Sequence, residues 1–163
     1  VNRIYQNVGN STNAGVELIV SQDISDYWQF SGSVNWYVNQ VEQYTTRLLF
    51  PVVRPFSIEA SSDDTWNLNL NNQFDLPYDM RMQLSLTYYA AKNYAQGQEA
   101  ARSSLDFGLN KPILANRGEL VFSVTDLFNK FGTRLDVRGN GFDAVYENYF
   151  ETQVVSLGVK YSM

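Results

Sequence analysis

The chain has neither histidine nor cysteine, which removes the commonest general base, the thiol nucleophile and any zinc site built from imidazole and thiolate. Carboxylates are the remaining candidates for chemistry. Asp63 and Asp64 stand side by side and are the first place to seek a metal or an acid–base pair. They fall where a long connection meets a strand, however, and solvated loop acids are the plainer reading. The segment 136–143 carries Asp136 and Asp143 at its ends and Gly139, Asn140 and Gly141 within it. It has the flavour of a calcium loop without the ligand spacing or the closing glutamate. No glycine-rich phosphate loop, serine triad or Walker sequence occurs. The expectation is a protein that is not an enzyme, with no catalytic residue, no cofactor and no metal.

Rings are the other candidates. Aromatic residues make up 15% of the 163 residues, against 18% charged and 44% hydrophobic. Tyr44, Phe50 and Phe56 lie in one long connection, and Phe142, Tyr146, Tyr149 and Phe150 in another. Such rings could stack on a sugar or another apolar ligand face, although packing of the connections on themselves is the first explanation to weigh. The length suits one domain. The hydrophobicity and modest net charge exclude a disordered chain. A net charge of -5 with a pI near 4.6 argues against nucleic acid, which calls for clustered Lys and Arg. The longest apolar runs are a handful of residues, far short of the ~20 of a membrane-spanning helix. Residues 1–10 lack the pattern of a signal peptide, so the chain is either not exported or begins after its signal.

The elements that would position these groups are strands. Trp28, Phe30, Gly32, Val34, Trp36 and Val38 share one parity, and Gln29, Ser31, Ser33, Asn35, Tyr37 and Asn39 the other. This is the period-two signature of a strand with one apolar and one polar face. The same alternation runs through 66–76 and 81–90, and in shorter form through 16–21, 104–110, 119–125 and 155–163, giving seven strands and no convincing helix. Short turns at 22–26, 76–79 and 112–118 alternate strictly with long segments at 40–63, 91–101 and 127–149. An up-and-down meander with short turns at one end and long loops at the other is the pattern of a transmembrane β-barrel.

Three features weigh this barrel against a soluble meander. The clearest runs reach ten or more residues, where soluble strands average about 5–6 and membrane strands need about 9–11. Trp28 and Trp36 share a face eight residues apart, roughly 19 Å along the normal of a membrane crossed at about 45°, the spacing of two aromatic girdles. The polar parity is mostly Asn, Gln, Ser and Thr, as a water-filled or plugged lumen would be. Its scattered charges are Glu17, Asp75, Arg81, Asp106, Glu119 and Lys160; such lumen charges, Glu17, Arg81, Asp106 and Lys160 among them, are expected to pair with each other or with a plug. No charge occupies the middle of the apolar parity.

Several stretches resemble a known family. The run Ser123-Val-Thr-Asp-Leu-Phe-Asn-Lys130 looks like the penultimate strand and following step of TonB-dependent outer-membrane receptors. Asn7-Val-Gly-Asn and Gly15-Val-Glu-Leu18 are similar to motifs found a few strands earlier in that family, and Arg102-Ser-Ser-Leu-Asp-Phe-Gly-Leu-Asn-Lys111 to the strand before the penultimate one. The ending Val155, Leu157, Val159, Tyr161, Met163 resembles a barrel assembly signal with Met in place of the usual Phe. The flavour is that of Bacteroidetes-type barrels. The resemblance implies 22 strands around an N-terminal plug and import of a scarce siderophore, glycan or peptide with energy delivered by TonB.

On this reading the chain is an all-β, antiparallel, up-and-down transmembrane β-barrel portion. Residues 1–163 form the C-terminal segment of about seven strands, with the plug domain and earlier strands absent. Expected partners are outer-membrane lipid, the remaining barrel strands, the plug, TonB through the missing N-terminal part, and a surface lipoprotein or assembly partner, with no nucleic acid. The expected location is the bacterial outer membrane. A scaffold barrel without transport and a soluble carbohydrate-binding β-domain are the alternatives.

Overall fold

The computed structural model describes residues 9–48, 52–94, 97–139, 142–148 and 150–161, apart from the side chains of Leu48, Arg54, Phe56, Ile58, Gly139 and Phe142. Thirteen strands occur among these residues: β1 (Ser11–Ser25), β2 (Trp28–Val41), β3 (Tyr44–Leu48), β4 (Arg54–Ile58), β5 (Ser61–Leu76), β6 (Met80–Tyr89), β7 (Lys92–Tyr94), β8 (Gly97–Glu99), β9 (Arg102–Ile113), β10 (Gly118–Thr125), β11 (Thr133–Gly139), β12 (Phe142–Asn148) and β13 (Val154–Tyr161).

Seven of them form one antiparallel sheet in the order β1-β2-β5-β6-β9-β10-β13. These are the seven strands expected from the alternation, several of them longer: β1 runs 15 residues where only 16–21 was legible. The long segments 40–63, 91–101 and 127–149 are not plain loops, which corrects the expectation. Each folds back as a hairpin, β3–β4, β7–β8 and β11–β12, and the last two join as a four-stranded sheet in the order β12-β11-β8-β7. Strand propensity survives there because solvent-facing hairpins need no apolar face; Arg134, Asp136 and Arg138 alternate with Leu135 and Val137.

Register shows why the alternation matters. Val20, Gly32, Leu70, Leu86 and Leu105 lie in one row across five strands, and Met82, Leu109, Phe122 and Leu157 in another. The intervening rows are polar, such as Ser33, Asn69, Thr87 and Ser104, or Gln83, Gly108, Ser123 and Ser156. A slip of one residue anywhere would mix the two faces. Gly32 is where a side chain is dispensed with on the apolar face: a Cβ there would stand 2.9 Å from Leu70 Cδ2 and 3.1 Å from Phe30 Cζ. Gly15 serves the polar face, since a Cβ there would press to 2.6 Å from the Tyr37 Cβ.

The short turns are tight. Tyr78 and Asp79 (φ 64° and 56°) link β5 to β6, while Leu114, Ala115 and Asn116 (φ 55°, 52° and 66°) link β9 to β10. Left-handed turn residues match the twist of the strands they join.

The main sheet has no second layer. Val124 is the one hydrophobic residue among those described that is fully buried, whereas Val16 is 69% and Leu157 73% exposed. The chain leaves 12256 Å² accessible, against roughly 8,200 Å² for a compact monomer of its 18.6 kDa. A soluble meander would fold its apolar face onto itself or a second sheet; here that face awaits a nonaqueous surrounding. Rings border it: Trp28 stacks on Phe74 at 5.7 Å, and Trp66 on Tyr88 at 4.7 Å beside its register partner Trp36. Each of two indole N–H groups finds an acceptor, Trp28 on Asn72 Oδ1 (3.1 Å) and Trp36 on Asp64 Oδ2 (3.2 Å). Asn72 thereby answers for its place on an otherwise apolar parity.

Among the described residues β1 pairs only with β2 and β13 only with β10, so the sheet has two open edges.

Candidate functional site

The polar face of the main sheet and the strands at its long-connection end hold the groups that could meet a ligand. Lower on this face, near the short turns, Asp23, Gln29, Asn71, Gln73 and Gln83 line a cavity of about 240 Å³. Its wall is amide-rich, with Gln73 donating to Gln29 Oε1 at 3.2 Å; six residues further along β2, on the same face, Asn35 donates to Asn67 Oδ1 at 3.1 Å.

At the long-connection end β7 meets the start of β5, where Asn93 donates to Asp63, and Lys92 reaches Tyr37 of β2. The Lys92 ammonium lies 5.8 Å from the ring centre of Tyr37 and 5.3 Å from that of Tyr94. Tyr94 donates its hydroxyl to Glu99 Oε2 (2.7 Å), and the other Glu99 oxygen pairs with Arg102 Nη1 at 3.3 Å. Burial and this hydrogen bond push the Tyr94 phenol up to about 12, so it stays neutral. Arg102 is held between the rings of Tyr89 (5.0 Å) and Phe131 (5.3 Å) and donates to Thr133 Oγ1 at 2.8 Å. Cation–π stacking of this kind is stronger where water is partly excluded.

A second cluster anchors this end. Asp126, 1% exposed and at φ 47°, follows β10 directly. Its carboxylate accepts from the amides of Lys130 and Phe131 (both 3.0 Å) and from Thr152 Oγ1 (2.6 Å), while its own amide donates to Asp106 Oδ1 at 2.9 Å. Ser104 Oγ donates to the same Asp106 oxygen at 2.6 Å. Leu127 N bonds to Leu105 O, and Gln153 Nε2 to Leu127 O, each at 2.8 Å. Burial by itself raises the pKa of Asp126, but the bonds from Thr152, Lys130 and Phe131 outweigh it and hold the carboxyl below its usual range. The Asp-Leu-Phe-Asn step is therefore a knot tying β9, β10 and the segment that leads into β13.

The groups singled out from the sequence are placed as follows. Asp106 sits in this knot. Arg81 pairs with Asp75 at 3.0 Å and Lys160 with Glu119 at 3.2 Å, each with its register partner on the same polar parity. Glu17, on the edge strand β1, makes no ion pair among the described residues. Tyr44 opens β3 and lies against Gly9, while Tyr146, 58% exposed, sits in β12 opposite Leu135. These two rings belong to separate sheets. Phe50 and Tyr149 lie outside the described residues, as do the side chains of Phe56 and Phe142, whose backbones pair with Thr46 and Gly139.

Asp63 and Asp64 do not converge: Asp63 accepts from Asn93 at 2.9 Å and Asp64 from the indole of Trp36. Asp136 and Asp143 belong to the β11–β12 hairpin, with Asp136 paired to Arg134 at 3.3 Å. The group that sequence reasoning missed is Lys92 with its rings. Its partners come from different strands, and nothing local in Ala-Lys-Asn-Tyr marks it.

A single-layer antiparallel sheet with one apolar face and one amide-lined face, bounded by rings, defines an outer-membrane type of β-barrel wall. Residues 1–161 match the outer membrane protein beta-barrel family, and the chain belongs to that family. No curated protein and no solved structure matches it. Membership favours a barrel wall over a soluble carbohydrate-binding domain.

Proposed function

We propose that the chain forms the closing wall of a larger barrel of the TonB-dependent receptor kind, located in the bacterial outer membrane, which imports a scarce siderophore, glycan or peptide. The observation that supports this most strongly is the direction of the two open edges. In a seven-stranded antiparallel order the first and last strands run the same way. β1 and β13 cannot seal against each other antiparallel, and a second copy inserted the same way meets the same obstacle. An odd number of further strands, entering beside β13 and leaving beside β1, gives all-antiparallel seams and the even total of bacterial barrels. Unsealed edges are untenable in hydrocarbon, where each unsatisfied backbone group costs several kcal/mol.

The amide-lined inner face suits a plug that docks through hydrogen bonds, and the Asp-Leu-Phe-Asn step supports the receptor kinship. TonB would act through the part that carries the plug.

Deleting the whole gene and following uptake of labelled siderophore, glycan and peptide, with and without a protonophore, tests the proposal. Loss of energy-dependent uptake of one class is expected. Unchanged uptake in a strain shown to have carried the protein in its outer membrane would favour a scaffold subunit instead.

A further inference from the structure

Lys92 is a half-buried cation. No carboxylate of the described residues lies within 4.0 Å of its ammonium, and no hydrogen bond to it occurs among them. The acids nearest along the chain's own pairings are taken. Glu99, its register partner across the β7–β8 hairpin, is shared by Tyr94 and Arg102, and Asp63 is engaged by Asn93. Arg102 provides the contrast, stacked between rings in the same manner but neutralised by Glu99. Asn93 is a neutral donor, so Asp63 keeps its charge; the cluster balances two cations with two carboxylates, and Lys92 is the cation in it that no carboxylate of the described residues meets within 4.0 Å.

Lys92 as a whole is half-buried and not sealed off. Tyr94, 46% exposed, offers a ring face beside it. Tyr37 and Tyr89 belong to the polar parity of the main sheet, which puts the cluster on the inner wall at the long-connection end. A single ammonium matches a monovalent anion; a dianionic phosphate would leave charge unmatched where only one donor cation is free.

We infer that Lys92, framed by Tyr37 and Tyr94, is an anion subsite at the barrel mouth that takes the carboxylate of a ring-bearing ligand, either an acidic sugar or the C-terminus of a peptide ending in an aromatic residue. The carboxylate meets Nζ and the ring lies along Tyr94. This rests on the transporter reading, since it concerns what enters the mouth.

The test uses the full-length protein in lipid nanodiscs and titrates four probes: galacturonate, its methyl ester, N-acetyl-Gly-Gly-Phe and N-acetyl-Gly-Gly-Phe amide. A hydrogen bond to a charged group in a partly desolvated site corresponds to roughly tenfold in affinity or more. At least one acid is therefore expected to bind about tenfold tighter than its uncharged form, and the two arms tell sugar from peptide. The difference should vanish in Lys92→Gln and return in Lys92→Arg, with all variants keeping the heat-modifiable gel mobility of a folded barrel. No binding of either acid, equal binding of acid and uncharged form, or a preference that persists in Lys92→Gln overturns the subsite. Energy-dependent uptake in the deletion experiment is a separate readout, so the transporter reading can survive that failure.

Discussion

At the scale of single residues, Asp126 concentrates the most consequence. It is buried with three donors on its carboxylate, and replacing it strands the Lys130 and Phe131 amides and the Thr152 hydroxyl. Hydrogen bonds to charged groups contribute about 1.5–3 kcal/mol, and an orphaned buried partner adds its own penalty. Asp126→Ala should thus cost about 3 kcal/mol or more, and Thr152→Val about 1.5–3 kcal/mol, measured as loss of heat-modifiable mobility with temperature in detergent. The pH dependence has a defined sign. Because the folded-state pKa of Asp126 is depressed, its contribution is present above the ordinary aspartate value and is lost as pH falls through the lower folded value. Acid titration of wild type and Asp126→Asn should show this limb in the first and not in the second.

The Asp-Leu-Phe-Asn step was legible in the sequence as a motif. Its bonding was not, because Thr152 lies 26 residues away and only folding brings it in. Lys92 gave still less signal, since its meaning depends on the acids that fail to reach it.

At the scale of elements, the alternation of β2, β5 and β6 makes their two faces legible in the sequence, because a strand between lipid and water must keep strict parity, while the register between them is seen only in the fold. What escaped notice were the hairpins beyond the sheet. β7 and β8 are three residues each, too short for a period to declare itself, and β11 and β12 carry charge on a face that touches no core. The facing of β6 leads to a direct comparison. Leu84 lies in the apolar row of Phe107 and Val124, and Gln83 in the polar row of Gly108 and Ser123. Arginine at Leu84 should destabilise the protein in bilayers by roughly 2–4 kcal/mol, whereas arginine at Gln83 should be much milder. Equilibrium unfolding from liposomes in guanidinium reports both, and equal penalties would contradict the facing.

At the scale of the whole molecule, the seven strands are a wall and not a closed barrel. Imaging of the full-length protein in nanodiscs should show β1 and β13 each hydrogen-bonded antiparallel to a strand from outside this chain, with an odd number of strands between them. Direct pairing of β1 with β13 would remove the case for a larger barrel. That the wall divides lipid from an aqueous interior is the claim on which everything else stands, and the lack of cysteine in these 163 residues makes it directly testable. Single cysteines at Met82, Gln83, Leu84, Ser85, Leu86 and Thr87, introduced into full-length protein in proteoliposomes, would be challenged with a membrane-impermeant maleimide. Labelling should alternate, with Gln83, Ser85 and Thr87 reacting and Met82, Leu84 and Leu86 protected. Labelling without a period of two, or with the opposite parity, would contradict the account.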